Sequence, residues 1–527
     1  MKRRFPMLVV VSIAVLAPGK ALLAGDSKSA AEKKAPAGND RLVIHEWGTF
    51  TCLQDEAGRP VAGVNSDDEP VPAFVHRISD LIPRPSQLAP VYDKGVPRSH
   101  RQVRMRLETP VVYFYPPAGL RQPLHATVQI GFQGGWLTEY YPKANVSAPG
   151  LQNGNFRFAG LTPKTLGTLE WNDLTINPIG VADDGRGDKL PETNAAVWLA
   201  PREVRAATVR VPGGEAEKYL FYRGVGNLPS PITVTRTLNN DGLVIREDVP
   251  AHLGLRGPLA IRAIWLVHVR EDGSVAFRSL GSARLTGESG RELATSPVDF
   301  AGTVNSPNAK GPDAKDQDKN GPSKRESKPA TEALIDNYSP KNLAALRVQM
   351  RRELIADGLF DDEADAMLKT WELAYFKSPG LRLFYLLPQQ WTDAVLPLHC
   401  SLLAEVSRTM VGRIELVTPR QRVLLKEIGA ASVSKINWFH EALQGHPDRN
   451  RIYAQLWEGK SRFQDLAISI PPDYQAYIDL GRFRNALILD ERTRNPNSGI
   501  GRFADTYRLE YYTPDENPPE TETARNE

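Results

Sequence analysis

Two cysteines in 527 residues, Cys52 and Cys400, are too few for a disulfide framework and too scattered for a cysteine-ligated metal. No C-x-x-C occurs, so thiol redox chemistry of the thioredoxin kind has no motif to rest on. H-E-x-x-H, G-x-S-x-G, the P-loop and G-x-G-x-x-G are absent as well. His440, Glu441 and His446 come nearest to a zinc-protease pattern, but their spacing does not bring two imidazoles to one helical face. An excess of one charge is also missing. The formal net charge of +3 falls to −1 once Lys2, Arg3, Arg4 and Lys20 are set aside with the first 24 residues. A near-neutral chain lacks the basic face that nucleic-acid binding draws on, so nucleic acid is not the expected partner.

Long apolar runs are scarce. The run at 7–17 is about half the ~20 residues that a membrane-spanning helix needs. Behind Lys2, Arg3 and Arg4, and before the small residues at 21–25, it predicts a cleaved signal peptide at 1–24. The expected compartment is therefore outside the cytoplasm, periplasmic or secreted, with no transmembrane anchor after cleavage. Residues 25–40 read as a disordered spacer. In an oxidising compartment two readings of the cysteines stand, a Cys52–Cys400 bridge or two buried thiols.

From residue 41 the chain turns to strand. Alternation places Val103, Met105, Leu107, Thr109, Val111, Tyr113 and Tyr115 on one face, with Arg104, Arg106 and Glu108 on the other. Residues 124–132 alternate next, with 136–141 as the expected hairpin partner across Gly134 and Gly135. Asn-Asp-Gly and Asp-Gly turns near 241 and 272 join further short strands. Strands without intervening helices predict an antiparallel β-sandwich-like domain over 41–302. Residues 303–332 hold almost nothing but Lys, Asp, Gly, Pro, Ser and Asn, which predicts a disordered linker or insertion.

Helices and strands then mix, so 333–512 reads as an α+β region. Ser339 and Pro340 open a helical hairpin whose stripes are Leu343, Leu346, Met350 and Leu354, then Ala364, Met367, Leu368 and Trp371. Two strands follow at 381–387 and 406–417. Thr418 and Pro419 cap a helix to about 443, another spans 473–491, and 503–512 reads as a last strand. Residues 513–527 form a disordered acidic tail. The expected fold class is mixed, mainly β in the first half and α+β in the second.

The blocks HEWGTFT (45–51), ETPVVYFY (108–115), TEYYP (138–142), YRGVGN (222–227) and EADAMLKTW (363–371) give the chain a resemblance that spans most of its length. It is similar to an uncharacterised group of exported bacterial proteins. That resemblance implies a shared architecture and assigns no residue a role.

The chemistry-bearing residues are few. His45 and Glu46 adjoin in the opening strand, where alternation sends them to opposite faces. They cannot share one metal unless Gly48 or a bulge breaks the alternation. Glu46 joins Leu42, Ile44, Phe50 and Cys52, so it is a carboxylate on an apolar face, seeking a cation such as Arg104 or Arg106 or else acting as a general acid. His45 joins Val43 and Trp47. Glu139, among Trp136, Tyr140 and Tyr141, is a second catalytic candidate, and those aromatics with His45 and Trp47 are binding candidates for carbohydrate or another envelope component. Asp67, Asp68 and Glu69, with Asp68 the catalytic candidate, and Asp183, Asp184 and Asp188 form acidic loops whose oxygens suit calcium; a solvated turn explains them equally. Asp357, Asp361, Asp362 and Glu363 read as helix caps. The leading expectation is an exported ligand-binding or structural module. The alternative is an exported carboxylate-dependent hydrolase acting on glycan or another polymer.

Overall fold

The computed structural model describes residues 40–65, 71–81, 92–151, 158, 160–179, 188–238, 242–249, 253–255, 258–297, 338–452 and 468–514. The expected signal peptide, most of the spacer, the 303–332 linker and the end of the acidic tail lie outside them.

The opening strand, β1 (Leu42–Gln54), is buried along its whole length. Its β-branched and aromatic residues suit a strand covered on both faces, where an apolar run replaces alternation. The other strands of the main path are β2 (Met105–Tyr115), β3 (Gly135–Tyr141), β4 (Leu166–Ile176), β5 (Val209–Arg210), β6 (Ala216–Glu217), β7 (Leu220–Gly226), β8 (Leu259–Val269), β9 (Val275–Leu285), β10 (Gly380–Leu386) and β11 (Ala404–Leu416). They run in the order β6-β5-β4-β3-β7-β2-β1-β11-β10-β8-β9 within a 15-stranded sheet. β1 pairs antiparallel with β2 and parallel with β11. The mixed class expected from sequence is present, a strand-rich first half and a second half of helices and strands.

The second half is not a separate unit. β10 and β11 lie between β1 and β8, so residues on both sides of the 303–332 segment build one sheet. The expected division at 302 and 333 therefore separates no two cores. Long-range strand pairing is invisible to local periodicity, and that is why a linker composition suggested a boundary.

Opposite Gly48 of β1, strand β2 carries two residues, Thr109 and Pro110, in a β-bulge. Thr109 takes the left-handed conformation at φ 46°. A Cβ on Gly48 would lie 3.0 Å from the Pro110 Cα, so glycine lets the bulge close. The extra residue flips every side chain after it. Met105 and Leu107 join one core with Val112 and Phe114, whereas Val111, Tyr113 and Tyr115 join the other. The single face expected for 103–115 is thereby corrected.

The first core includes Leu42, Ile44 and Phe50 and is covered in part by the Pro419–Ala430 and Arg484–Arg494 helices. The second includes Val43 and Trp47 under α1 (Ala196–Arg202), α2 (Lys341–Asp357), α3 (Asp361–Thr370) and a π-helix at Glu372–Lys377. Each fully buried Leu or Phe stabilises by roughly 1.5–3 kcal/mol before the chain-ordering cost is set against it. Other local expectations shift. The Leu124–Gln133 strand pairs with β4 and with Leu398–Cys400 rather than with β3. The capped helix ends at Ala430, 473–491 divides into Pro472–Asp479 and Arg484–Arg494, and 503–512 opens as helix, Ile500–Thr506.

Candidate functional site

Glu46 is fully buried on the first-core face, as alternation requires. Its cation is Arg408 of β11, the residue beside it in the parallel register, whose Nε donates to Oε2 at 2.5 Å. The Tyr222 hydroxyl donates to the other oxygen. Arg408 also donates to Asp393 at 3.0 Å. Burial opposes the Arg408 charge, but Glu46 and Tyr222 more than offset it and hold the guanidinium well above its ordinary range. Arg104, by contrast, is exposed, and Arg106 pairs with Glu108. The expected Glu46–Arg104 or Glu46–Arg106 pair is corrected to Glu46–Arg408.

His45 faces the second core. Its Nδ1 lies 2.8 Å from Glu363 Oε2, and the Tyr115 hydroxyl donates to Oε1 at 2.8 Å. The Phe360 amide donates to Oε2 at 2.7 Å, so Glu363 is also the third helical residue capping α3. The helix-cap reading of Glu363 stands but is incomplete, because the same carboxylate holds an imidazole from 318 residues away. Phe360 lies against the His45 ring at 4.3 Å, with Tyr115 edge-on at 5.4 Å.

Glu139 is closed in as well. It accepts from Arg77 at 3.2 Å and lies 3.5 Å from Arg223, with the carboxylate and Arg223 each 1% exposed. Trp47 and Trp136 are fully buried, and the Trp136 indole donates to the Pro149 carbonyl. Tyr140 and Tyr141 stack on His76 at 5.6 and 6.2 Å. Asp67, Asp68, Glu69, Asp183 and Asp184 lie outside the described residues. Asp188 accepts from Asn177 and faces Arg210 at 3.4 Å. Among the described residues no group of three or more His, Cys, Asp or Glu could hold a metal ion. Cys52 and Cys400 are both free thiols, which replaces the bridge reading. Burial, with Glu415 nearby, pushes the Cys52 thiol up to about 12.

One buried centre went unread in the sequence. Glu108 accepts from Thr51 and Tyr375 at 2.7 Å, from Arg482 at 3.0 Å and from Arg106, with Arg413 3.9 Å and Lys94 4.0 Å away. Burial alone would raise its pKa, but Arg106, Lys94 and Arg413 together hold it far below the usual carboxylate range. A signal for it did exist. Arg106 and Glu108 on β2, like Arg413 and Glu415 on β11, form an R-x-E pair, and residues two apart on a strand share a face.

Open concavities lie elsewhere, one of them about 600 Å³ beside Arg492, Asp505 and Arg508. Tyr141, Lys189, Leu190, Pro191, Glu192, Gly213, Gly214 and Glu215 line a groove of about 570 Å³. A second space of about 640 Å³ shares Leu190, Pro191 and Glu192 and adds Thr193, Asn194 and Arg202. Arg202 donates to the Pro191 carbonyl at 2.8 Å and pairs with Glu217, which pins the extended wall. Glu215 accepts from the Lys143 amide and contacts His76 Nε2 at 3.0 Å with both oxygens. Burial, then Glu215 and Glu217, push the Tyr141 hydroxyl up to about 12, so it remains a hydrogen-bond donor at neutral pH.

No family model matches this chain, and no curated protein does. Among solved structures it is similar to the Fcho1 mu homology domain of Danio rerio with bound Eps15 peptide, at 8% identity over 72% of this chain and 95% of that one, with a TM-score of 0.24. A superposition so loose equates neither fold nor site. No helix among the described residues is long and apolar enough to cross a membrane.

Proposed function

We propose that this chain is an exported ligand-binding module of the cell envelope that takes a polyhydroxylated ligand, of carbohydrate type, in the Tyr141 groove. The supporting observation is a contrast in burial. The carboxylates nearest the sequence motifs, Glu46 and Glu139, are enclosed with arginines, while the open groove is lined by Lys189, Glu192 and Glu215, with Asn194 and Arg202 in the adjoining space and the 4% exposed Tyr141 contributing to its lining. Several polar side chains converging on one open groove suit orientation of a polar ligand. Calcium, where the acidic runs at 67–69 and 183–188 bind it, raises the melting temperature in millimolar calcium; no shift removes it as a cofactor.

The hydrolase alternative now draws on different residues. Glu192 and Glu215 line one groove, whereas Glu46 and Glu139 do not face it. The test is a glycan-binding screen on the full chain with isothermal titration of Tyr141→Phe and Glu192→Gln. Binding weakened by both variants, without release of reducing ends, supports the module. Release of reducing ends that stops in Glu192→Gln supports the hydrolase. Folded protein that binds no glycan overturns both readings, and recovery of the chain in the cytoplasm overturns export.

A further inference from the structure

Residues 189–194 form a wall that the two open spaces beside Tyr141 share. The groove of about 570 Å³ takes Lys189 to Glu192 from it, and the space of about 640 Å³ takes Leu190 to Asn194. Both lie on one side of the wall, since the Tyr141 hydroxyl of one and the Arg202 guanidinium of the other are close enough to interact electrostatically. They join end to end into one open cleft. Each part alone has the volume of a small-molecule pocket, so the two in line hold more than a single sugar.

The backbone of the wall is unpaired. Residues 189–194 belong to no helix or strand, and among the described residues their amides and carbonyls make no backbone–backbone hydrogen bond. One carbonyl is taken, that of Pro191, by Arg202 at 2.8 Å. Arg202 is fixed in turn by Glu217, which also accepts from the Trp198 indole. A plain connection between β4 and α1 would leave its polar groups to water and need no such brace. A second observation points to a ligand. Tyr141 is 4% exposed, yet its hydroxyl makes no hydrogen bond among the described residues, and the residue borders the cleft. Lys189 and Arg202 stand against Glu192 and Glu215, so the cleft favours neither a polyanion nor a polycation.

Resting on the groove reading above, we propose that the ligand is an uncharged linear polysaccharide held along an internal stretch of several sugars. Six residues of wall span at most roughly 20 Å, enough for several sugars in line. Successive sugar hydroxyls donate to the carbonyls of Glu192, Thr193 and Asn194 and accept from their amides. The Tyr141 hydroxyl and the Glu192 and Glu215 carboxylates orient the chain from the sides. Such a site reads the repeat of a polymer rather than its end, because the contacts recur along the wall.

The experiment is isothermal titration of the full chain with cello-, xylo- and chitin oligomers from dimer to hexamer. Hexamers reduced at the terminal sugar and a galacturonate hexamer complete the set. For the series that binds, affinity is expected to rise roughly tenfold or more from dimer to hexamer and to survive reduction of the end. Asn194→Pro, which lacks the amide, is expected to bind the hexamer roughly threefold more weakly than Asn194→Ala. A dimer as tight as the hexamer, loss of binding on end reduction, or preference for the galacturonate overturns this inference and leaves the groove reading standing. Equal binding by folded Asn194→Pro and Asn194→Ala overturns the role of the wall. Folded protein that binds none of the oligomers overturns the groove reading itself, and this inference with it.

Discussion

At the scale of residues, buried ion pairs dominate, and their value lies in completeness. Glu46 and Arg408 are 0% and 3% exposed, so removing either leaves a charge with no water to solvate it. Arg408→Met is expected to destabilise by about 3–5 kcal/mol. The double variant Glu46→Leu with Arg408→Met is expected to recover much of that loss, as urea unfolding will report. His268 supplies a pH dependence. It contacts the Tyr338 hydroxyl at 2.7 Å, and burial, reinforced by Arg270 and Arg382, pushes its pKa down to about 4. The folded chain therefore resists a proton that the unfolded chain accepts below about 6.5. Stability from this group is full above that value and declines as pH falls toward 4, by up to about 3 kcal/mol. Unfolding of His268→Gln at pH 7 and pH 4.5 should differ less than that of the parent. A thiol reagent on native protein should reach Cys400 before Cys52, whose labelling requires unfolding.

At the scale of elements, the central strands pack as closely as their glycines permit. A Cβ on Gly412 of β11 would fall 2.0 Å from Tyr385 Cζ, and Tyr385 is held by the Ser230 hydroxyl at 2.8 Å. Gly412→Ala must displace that ring and is expected to cost about 1–3 kcal/mol, measured as a lower urea midpoint. The loss should be smaller in Gly412→Ala with Tyr385→Phe, where the ring is freed from Ser230. The π-helix at Glu372–Lys377 is held by buried arginines, with Arg413 and Arg482 both donating to the Ala374 carbonyl. Arg382, fully buried, donates to the carbonyls of Tyr375, Ser378 and Pro379, the acceptors that a helix end leaves open.

At the scale of the molecule, the strand order makes the two halves interdependent. A protease site placed within 303–332 is expected to yield two fragments that elute together and unfold in one transition, because β10 and β11 would have to leave the middle of the sheet to separate. Fragments that part at neutral pH in the absence of denaturant contradict the shared sheet. Closing the β1–β11 contact spans more than 350 residues of chain, which predicts slow folding as well.

Much was legible locally. The sequence by itself determined the opening strand, the β8–β9 hairpin, the α2–α3 hairpin with its stripes, and the separation of His45 from Glu46, because strand and helix periods act over a few residues. It also placed Glu46 on an apolar face, where a cation partner and a general-acid role were the two readings. Which cation was a matter of tertiary structure. Arg408 lies 362 residues away and meets Glu46 only because β11 pairs parallel to β1. The β2 bulge, the Glu108 centre, the Glu363 brace on His45 and the groove at Tyr141 were likewise decided by long-range pairing. A side chain's face can be read from its neighbours in the chain, but its partner depends on which strands the fold brings side by side.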